Sequence, residues 1–405
     1  MKENLLVSVF LSSGSYNGCM DVYMQFENAE RILLKSVPSS PELEVSLSPT
    51  GRSEVADYFE ILGMSDAEVL PPAYKQLCTH LKFTTLELLH AVPEQKLKDH
   101  LKKVVNSLSD IFNTSRNAEY FGNYIRIKKF LASFQRARID VVALKKMIEM
   151  SKHEVVKSTL SSFLADDTGR VESVVYSTTG TATGRLTVAS GPQILTAPAE
   201  VRKCFRSRFE AGKILQLDIV SAEPKLALYA AEQHPPKDVY NYIANSILEG
   251  KVSRAQAKLI TLCALYGQSA RMLKRKLPVG VNPKEVIRKT KKYFKSEQLE
   301  DALRAESTNG LFRSVLGRPL QVPDDKSHFY ISYYLQSSIA EGAILMFGRF
   351  IETVSMECEP LFIIHDALIV DCSDEAAKKL LSGDGIKVVL GEWEFDVDVK
   401  VLEDI

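Results

Sequence analysis

The chain has 405 residues, 45% hydrophobic and 25% charged, with 51 Lys and Arg balancing 51 Asp and Glu; this is globular composition, with length for two or more domains or one large multi-lobed unit. No apolar run approaches the roughly 18 residues of a membrane-spanning helix, which excludes a helical span. The six cysteines (Cys19, Cys78, Cys204, Cys263, Cys358, Cys372) never pair as CxxC and the seven histidines show no HExxH, which argues against a disulfide or zinc framework and predicts free thiols in a reducing compartment.

In chain order, LLVSVFL near the N-terminus is short and lacks a basic leader, so it predicts a strand and not a signal peptide. The stretch SVPSSPELEVSLSPTGRS, Ser36 to Ser53, is rich in proline and serine and predicts a loop or linker. From Glu54 to about Phe163 helical patterns dominate. LKKVVNSLSDIF and VVALKKMIEMSKHEVVKSTLSSFL carry apolar residues at spacings of three and four. DDTGRV, Asp166 to Val171, is a turn signal before the strand-like VESVVYS. KILQLDIV, Lys213 to Val220, alternates like a strand and ends near an aspartate. Helices are expected from Ala222 to about Gln233 and from Asp238 to about Glu249. In KVSRAQAKLITLCALYGQS the pattern is helical, with Ser253 as N-cap. A long helix is expected from His328 to about Met356. FIIHDALIVD predicts two short strands about a tight turn, and FDVDVKV a further strand. Strands clustered late, with helices between them, predict an α+β domain with an antiparallel sheet. The zero net charge hides asymmetry: ten Lys and Arg against the single acid Glu285 between Arg271 and Ser296, and nine acids against four Lys from Cys372 to Ile405. Such a basic run suits a polyanion or a solvated helix face.

Three places carry candidate chemistry. On the helix after Ser253, steps of four place Arg254, Lys258, Leu262 and Tyr266 on one slowly winding stripe. The cations sit in the N-terminal half, where the helix dipole favours an anion. A triphosphate held there would leave its base over Leu262 and Tyr266; the competing reading is an amphipathic helix whose cations face water. Asp218 ends one apolar strand and Asp366 interrupts another. Carboxylates on adjacent strand ends could share divalent cations, which would offset the cost of burying both charges. A pair of Mg²⁺ ions about 3.5–4 Å apart is a recurrent device for in-line phosphoryl transfer. Taken singly, either aspartate also reads as a strand-end cap.

Four segments then occur in order: TATGRLTVASGPQILTAP, LQLDIVSAEPKLAL, RAQAKLITLCALYG and FIIHDALIV, with DTGRV, KDVY, LGRPL and YYLQSSIAEGA between or beside them. Together they resemble the motifs of family A DNA polymerases, the bacterial DNA polymerase I family with its phage relatives, over about Asp166 to Asp371. The resemblance implies a right-hand polymerase fold with an antiparallel-sheet palm, helical fingers and a helical thumb. It divides the chain into a thumb at 113–163, a palm at 164–222 and 312–405, and fingers at 223–311, leaving 1–112 without an assigned function. It implies that Asp218, Asp366 and the backbone carbonyl of Ile219 hold two Mg²⁺ ions, for which Mn²⁺ can substitute. Arg254 and Lys258 would grip the phosphates of a dNTP, and Tyr266 would stack near the templating base. Arg185 and Gln336 would read the minor groove of primer–template DNA, and His365 would sit beside the primer 3′ end. Glu223 stands where DNA polymerases of the family crowd a ribose 2′-hydroxyl, which favours deoxynucleotides.

Departures from the pattern are as visible. Leu262 replaces an aromatic residue, Tyr240 a phosphate-contacting histidine, and Ala367 a glutamate. Pro224 and Lys225 replace Leu-Arg, while Gln193, Leu195 and Thr196 break a polar run near the primer. The single Asp-x-Glu, Asp66-Ala67-Glu68, follows Ser65 and reads as a helix start, so no 3′–5′ proofreading is expected. The resemblance implies template-directed DNA synthesis in the cytoplasm of a bacterial or phage-infected cell, with no membrane partner, and names no processivity or replisome partner. A single-subunit RNA polymerase, opposed by Glu223, and a catalytically silent nucleic-acid-binding relative are the alternatives.

Overall fold

The computed structural model describes residues 5–11, 20–27, 30–34, 43–46, 80, 115–178, 180–267, 270–308, 310–322, 329–354, 357–382 and 385–402. Contacts divide the chain into two compact units: Met1–Arg126 with Leu316–Pro319, and Ile127–Val315 with Leu320–Ile405. The boundary drawn from sequence at 112/113, the Asp66-Ala67-Glu68 triplet, LKKVVNSLSDIF, Cys19 and Cys78 lie outside the described residues.

In the first unit, strands β1 (Leu5–Leu11), β2 (Met20–Glu27), β3 (Glu30–Leu34) and β4 (Leu43–Ser46) form a sheet in the order β3-β2-β1-β4. LLVSVFL is thus a strand. The expected loop from Ser36 to Ser53 is corrected, because β4 lies inside it and pairs parallel with β1, Val7 opposite Leu43. Four alternating residues between prolines are too short a signal to outweigh their flanks. A strand far upstream supplies the ladder that makes them one. Helix α1 (Ser115–Ala132) begins in this unit, where Tyr120 and Phe121 are buried and Arg318 donates to the Tyr120 hydroxyl at 3.5 Å.

The second unit begins with the rest of α1, strand β5 (Arg138–Ile139), α2 (Val141–Met150) and α3 (Glu154–Ser161). One continuous helical pattern therefore becomes two helices. Asp140 caps α2 by accepting from the Ala143 amide at 2.9 Å. At the other end, Ser151 is extended and its amide closes on the Met147 and Ile148 carbonyls. Strands β6 (Val175–Ser177), β7 (Thr187–Ser190) and β8 (Phe205–Arg206) are short, so only the end of VESVVYS is a strand.

The centre of the unit is an antiparallel sheet. Strands β9 (Lys213–Ile219), β12 (Cys358–Ile364), β13 (Ala367–Cys372), β14 (Ile386–Leu390) and β15 (Trp393–Val401) run in the order β12-β13-β9-β15-β14, while β10 (Leu311–Arg313) and β11 (Pro319–Gln321) lie outside it. Leu215, Leu217 and Ile219 alternate with Gln216 and Asp218, and the aliphatic set is buried. Each such side chain taken fully from water contributes on the order of 1.5–3 kcal/mol, so the hydrophobic face fixes register and leaves the polar residues on the other face. Buried Cys358 and Cys372 face each other across β12 and β13, Sγ to Sγ 2.9 Å, as free thiols.

Helices complete the unit, of which those at Ala222–Ala230, Tyr330–Thr353 and Asp374–Ser382 pack on the sheet. In chain order the helices are α4 (Ala222–Ala230), α5 (Val239–Tyr242), α6 (Arg254–Tyr266), a single turn at Ala270–Leu273, α7 (Pro283–Tyr293), α8 (Ser296–Glu306), α9 (Tyr330–Thr353) and α10 (Asp374–Ser382). Helix α4 stops three residues earlier than expected, where Glu232 turns left-handed at φ 54° and Pro235 and Pro236 follow. The helix expected from Asp238 to Glu249 begins as α5 and continues as a π-turn over Ile243–Ile247. Long helix α9 runs against β12, β14 and α4. At Gly342 it comes so close to β14 that a Cβ would stand 2.9 Å from Leu390 Cδ2. No helix among the described residues is long and apolar enough to cross a membrane.

Candidate active site

The two aspartates that interrupt apolar strands meet at one end of the sheet. Asp218, the penultimate residue of β9, stands opposite Ala367 on β13 and opposite Asp398 on β15. Asp366 occupies the two-residue turn between β12 and β13, and its carbonyl accepts from the Ile219 amide at 3.1 Å. This turn carries His365 at φ 56°, and the turn after β9 carries Ser221 at φ 53°. Left-handed backbone in non-glycine residues costs on the order of 1–3 kcal/mol, and such strain clusters at functional sites.

Both carboxyls stand above the usual carboxylate range. Burial pushes Asp366 up to about 6, and the neighbouring Asp218 and Glu223 charges add to it. Burial also raises Asp218, as does Asp398, while Lys400, Gln216 and Lys258 act against the shift. Around these two half-buried carboxylates burial outweighs the nearby lysine charges, which is the environment a divalent cation relieves. Among the described residues no group of three or more His, Cys, Asp and Glu side chains is arranged to hold a metal ion. A site here therefore rests on two carboxylates, with backbone, water and substrate oxygens completing it. Mg²⁺ is commonly held that way, by one or two carboxylates plus phosphates.

Helix α6 supplies the opposing charge. Ser253 and Gln256 form a capping box, and Gly267 ends the helix at φ 65°. Arg254 donates Nε to Asp238 Oδ2 at 2.8 Å, and its guanidinium lies 5.4 Å from the Tyr240 ring centroid; the Lys258 Nζ lies 5.8 Å from the same ring. Tyr240 is buried, which pushes its hydroxyl up to about 12. Glu223, at the start of α4, accepts from Arg185 at 3.1 Å. Exposed His365 is held below the usual imidazole range, first by partial burial and then by the Arg185 charge.

These residues line one cleft of about 660 Å³, a size in the range of ligand sites. Asp218, Ile219, Asp366, Arg254, Lys258, Leu262, Tyr240, Glu223, Arg185, Gln336 and His365 all border it. Tyr266 does not. It follows Leu262 by one helical turn, and burial together with the Glu223 charge raises its hydroxyl. Lys225, one of the departures, is buried and ion-paired to Asp396. Asp398 and Lys400 of β15 also line the cleft, and the motifs did not single them out. Their signal was the alternation in FDVDVKV, but only the strand register sets them beside Asp218.

No curated protein sequence matches the chain. Solved structures that match include the polymerase domain of Pol1 from M. smegmatis, in complex with DNA primer-template and dNTP, at 17% identity and a TM-score of 0.48, over 72% of this chain and 64% of that one. The chain thus spans under two thirds of that relative's length. The family model for DNA polymerase family A matches residues 101–403, about three quarters of the sequence, and the chain belongs to DNA polymerase family A.

Proposed function

We propose that this chain is a template-directed DNA polymerase, adding dNTPs to a primer 3′-hydroxyl by phosphoryl transfer with two divalent ions. The observation that carries the reading is the opposition, in one cleft of a family A chain, of Asp218 and Asp366 to Arg254 and Lys258. In this reading 113–163 form the thumb, 164–222 with 312–405 the palm, and 223–311 the fingers. Asp218, Asp366 and the Ile219 carbonyl would hold Mg²⁺, with Mn²⁺ able to substitute. When bound, the ions would lower the pKa of the attacking hydroxyl and neutralise the leaving pyrophosphate.

The chain's own residues do the positioning, which accounts for most of the catalysis in phosphoryl transfer. Arg254 and Lys258 hold the triphosphate and balance its charge as the bond to the leaving group breaks. Leu262 and Tyr266 lie further along the helix, on the side of the base. Glu223 crowds the position of a ribose 2′-hydroxyl. Arg185, Gln336 and His365 face the primer terminus.

The test is extension of a labelled primer on a DNA template with Mg²⁺. We expect extension with dNTPs and little with rNTPs. Asp218→Ala and Asp366→Ala should each lower the rate by about a thousandfold, the scale on which loss of a preorganised charge acts, while primer–template binding stays within severalfold. Near-normal extension by either variant removes the assignment. A preference for rNTPs redirects it to RNA synthesis, and no extension with Mg²⁺ or Mn²⁺ leaves a silent nucleic-acid binder. Without dNTPs, the same labelled primer should not be shortened.

A further inference from the structure

Strand β15 brings two charged side chains to the cleft for which the proposed reaction has no use so far. Asp398 stands directly opposite Asp218 in the β9–β15 ladder, and Lys400 stands opposite Gln216. Side chains two apart share a face, so positions 216, 218, 398 and 400 form a block on the cleft side of the sheet. On the other flank of β9 that face carries only Ala367 and Ile369. Asp218 therefore has a carboxylate neighbour on one side and a methyl group on the other.

Like charges directly opposite in a ladder are unfavourable, and nothing in the packing of an exposed strand end calls for the pair. Lys400 answers it. Its Nζ lies 2.7 Å from Asp398 Oδ2, on a side chain 57% exposed. The Lys400 charge, like that of Lys258 on α6, opposes the rise that burial imposes on the Asp218 carboxyl. Behind this ammonium the carboxylate is steadied by neutral contact: Gln216 Nε2 donates to Asp218 Oδ2 at 3.4 Å, and Arg202 donates to Gln216 Oε1 at 3.1 Å. One partner of Asp218 is thus fixed in the sheet, and the other is a compact cation on a flexible four-carbon stem.

We propose that Lys400 is a tethered stand-in for a divalent cation: its ammonium, leashed by Asp398, occupies the field of Asp218, and a metal ion must displace it. Asp398 is then a positioning residue that holds the competitor at the rim, and not itself a ligand. The inference rests on Asp218 being a cation-binding carboxylate. It has a consequence for order of events: phosphates arriving with their own negative charge tip the competition towards the divalent ion, so the site fills best when substrate is present.

The experiment titrates Mn²⁺ alone into the full chain and reads free Mn²⁺ by electron paramagnetic resonance, with no DNA or nucleotide. Outer groups of metal sites shift affinity by about 10–100-fold. Lys400→Met should therefore tighten Asp218-dependent binding by about tenfold, whereas Asp398→Asn, which frees Lys400 to face Asp218 alone, should weaken it by a similar factor. Lys400→Arg should stay near wild type, a rescue that a merely structural role would not distinguish by sign. In primer extension, Lys400→Met should lower the half-saturating Mg²⁺ concentration. Unchanged or weaker Mn²⁺ binding by Lys400→Met, with binding still lost in Asp218→Asn, overturns the proposal and leaves the polymerase reading standing. A wild-type chain with no Asp218-dependent Mn²⁺ site overturns both.

Discussion

Glu223 lines the cleft with Arg185 beside it. Its side chain is only 19% exposed, and Arg185 donates to it at 3.1 Å. It follows a left-handed Ser221 that turns the chain sharply from β9 into α4. In the proposed polymerase this fixed carboxylate, and not its charge alone, would exclude a 2′-hydroxyl. Glu223→Ala should raise the rNTP-to-dNTP ratio of kcat/KM by about 10–100-fold, since pocket contacts of this kind discriminate by roughly 1–3 kcal/mol. Single-nucleotide incorporation with matched rNTP and dNTP measures it. The expected gain lies in rNTP use, with dNTP use little raised, because the change opens space and adds no contact.

At the scale of elements, Asp238 ties two helices together. Its carboxylate caps α5 by accepting from the Asn241 amide at 3.0 Å, and it holds Arg254 at the start of α6. Burial acts to raise its pKa, but the Arg254 and Asn241 contacts outweigh this and hold it below the usual carboxylate range. A depressed folded-state pKa means stability that is present above the ordinary value near 4 and is lost as pH falls through the folded one. Asp238→Ala should cost about 1 kcal/mol at pH 7, the usual worth of an N-cap, and progressively less below about pH 4. Chemical denaturation of both proteins across pH 2–8 tests the sign. The same substitution unties Arg254, so the KM for dNTP should also change.

Across the whole molecule, balanced charge conceals a basic surface. Helix α7 exposes Lys284, Arg288 and Lys292 at steps of four, while Lys289 between them is paired to Glu249 at 2.6 Å. In the proposed polymerase these three cations on one stripe would follow a nucleic-acid backbone. Phosphate contacts release counterions, so binding falls with salt, with a slope of about −0.7 per contact for single strands. Replacing all three by alanine should therefore flatten the salt dependence of single-stranded template binding by about 2, as read by fluorescence anisotropy between 50 and 200 mM salt. An unchanged slope would return α7 to the role of a solvated helix.

Much of the site could be read before any fold was known, where the signal was local. The N-cap Ser253, the stripe Arg254, Lys258 and Leu262, and the tight turn that carries Asp366 each rest on residues close in sequence, so helical and strand periods place them. Tyr266 belonged to the same stripe yet is not among the residues lining the cleft; each step of four drifts about 40° around the helix, and its hydroxyl ends beside Glu223. Residues joined across long separations stayed hidden. Asp398 beside Asp218, Asp238 on Arg254, Lys225 on Asp396, and β4 against β1 each depend on which distant strand or helix folds alongside. The amino-acid order alone determined most of the central strands and helices and the chemistry carried on them, since backbone period and side-chain type are properties of neighbours in the chain. Tertiary structure decided which charges meet, because cross-strand register is set by burying Leu215, Leu217 and Ile219 together, a choice made by the whole sheet.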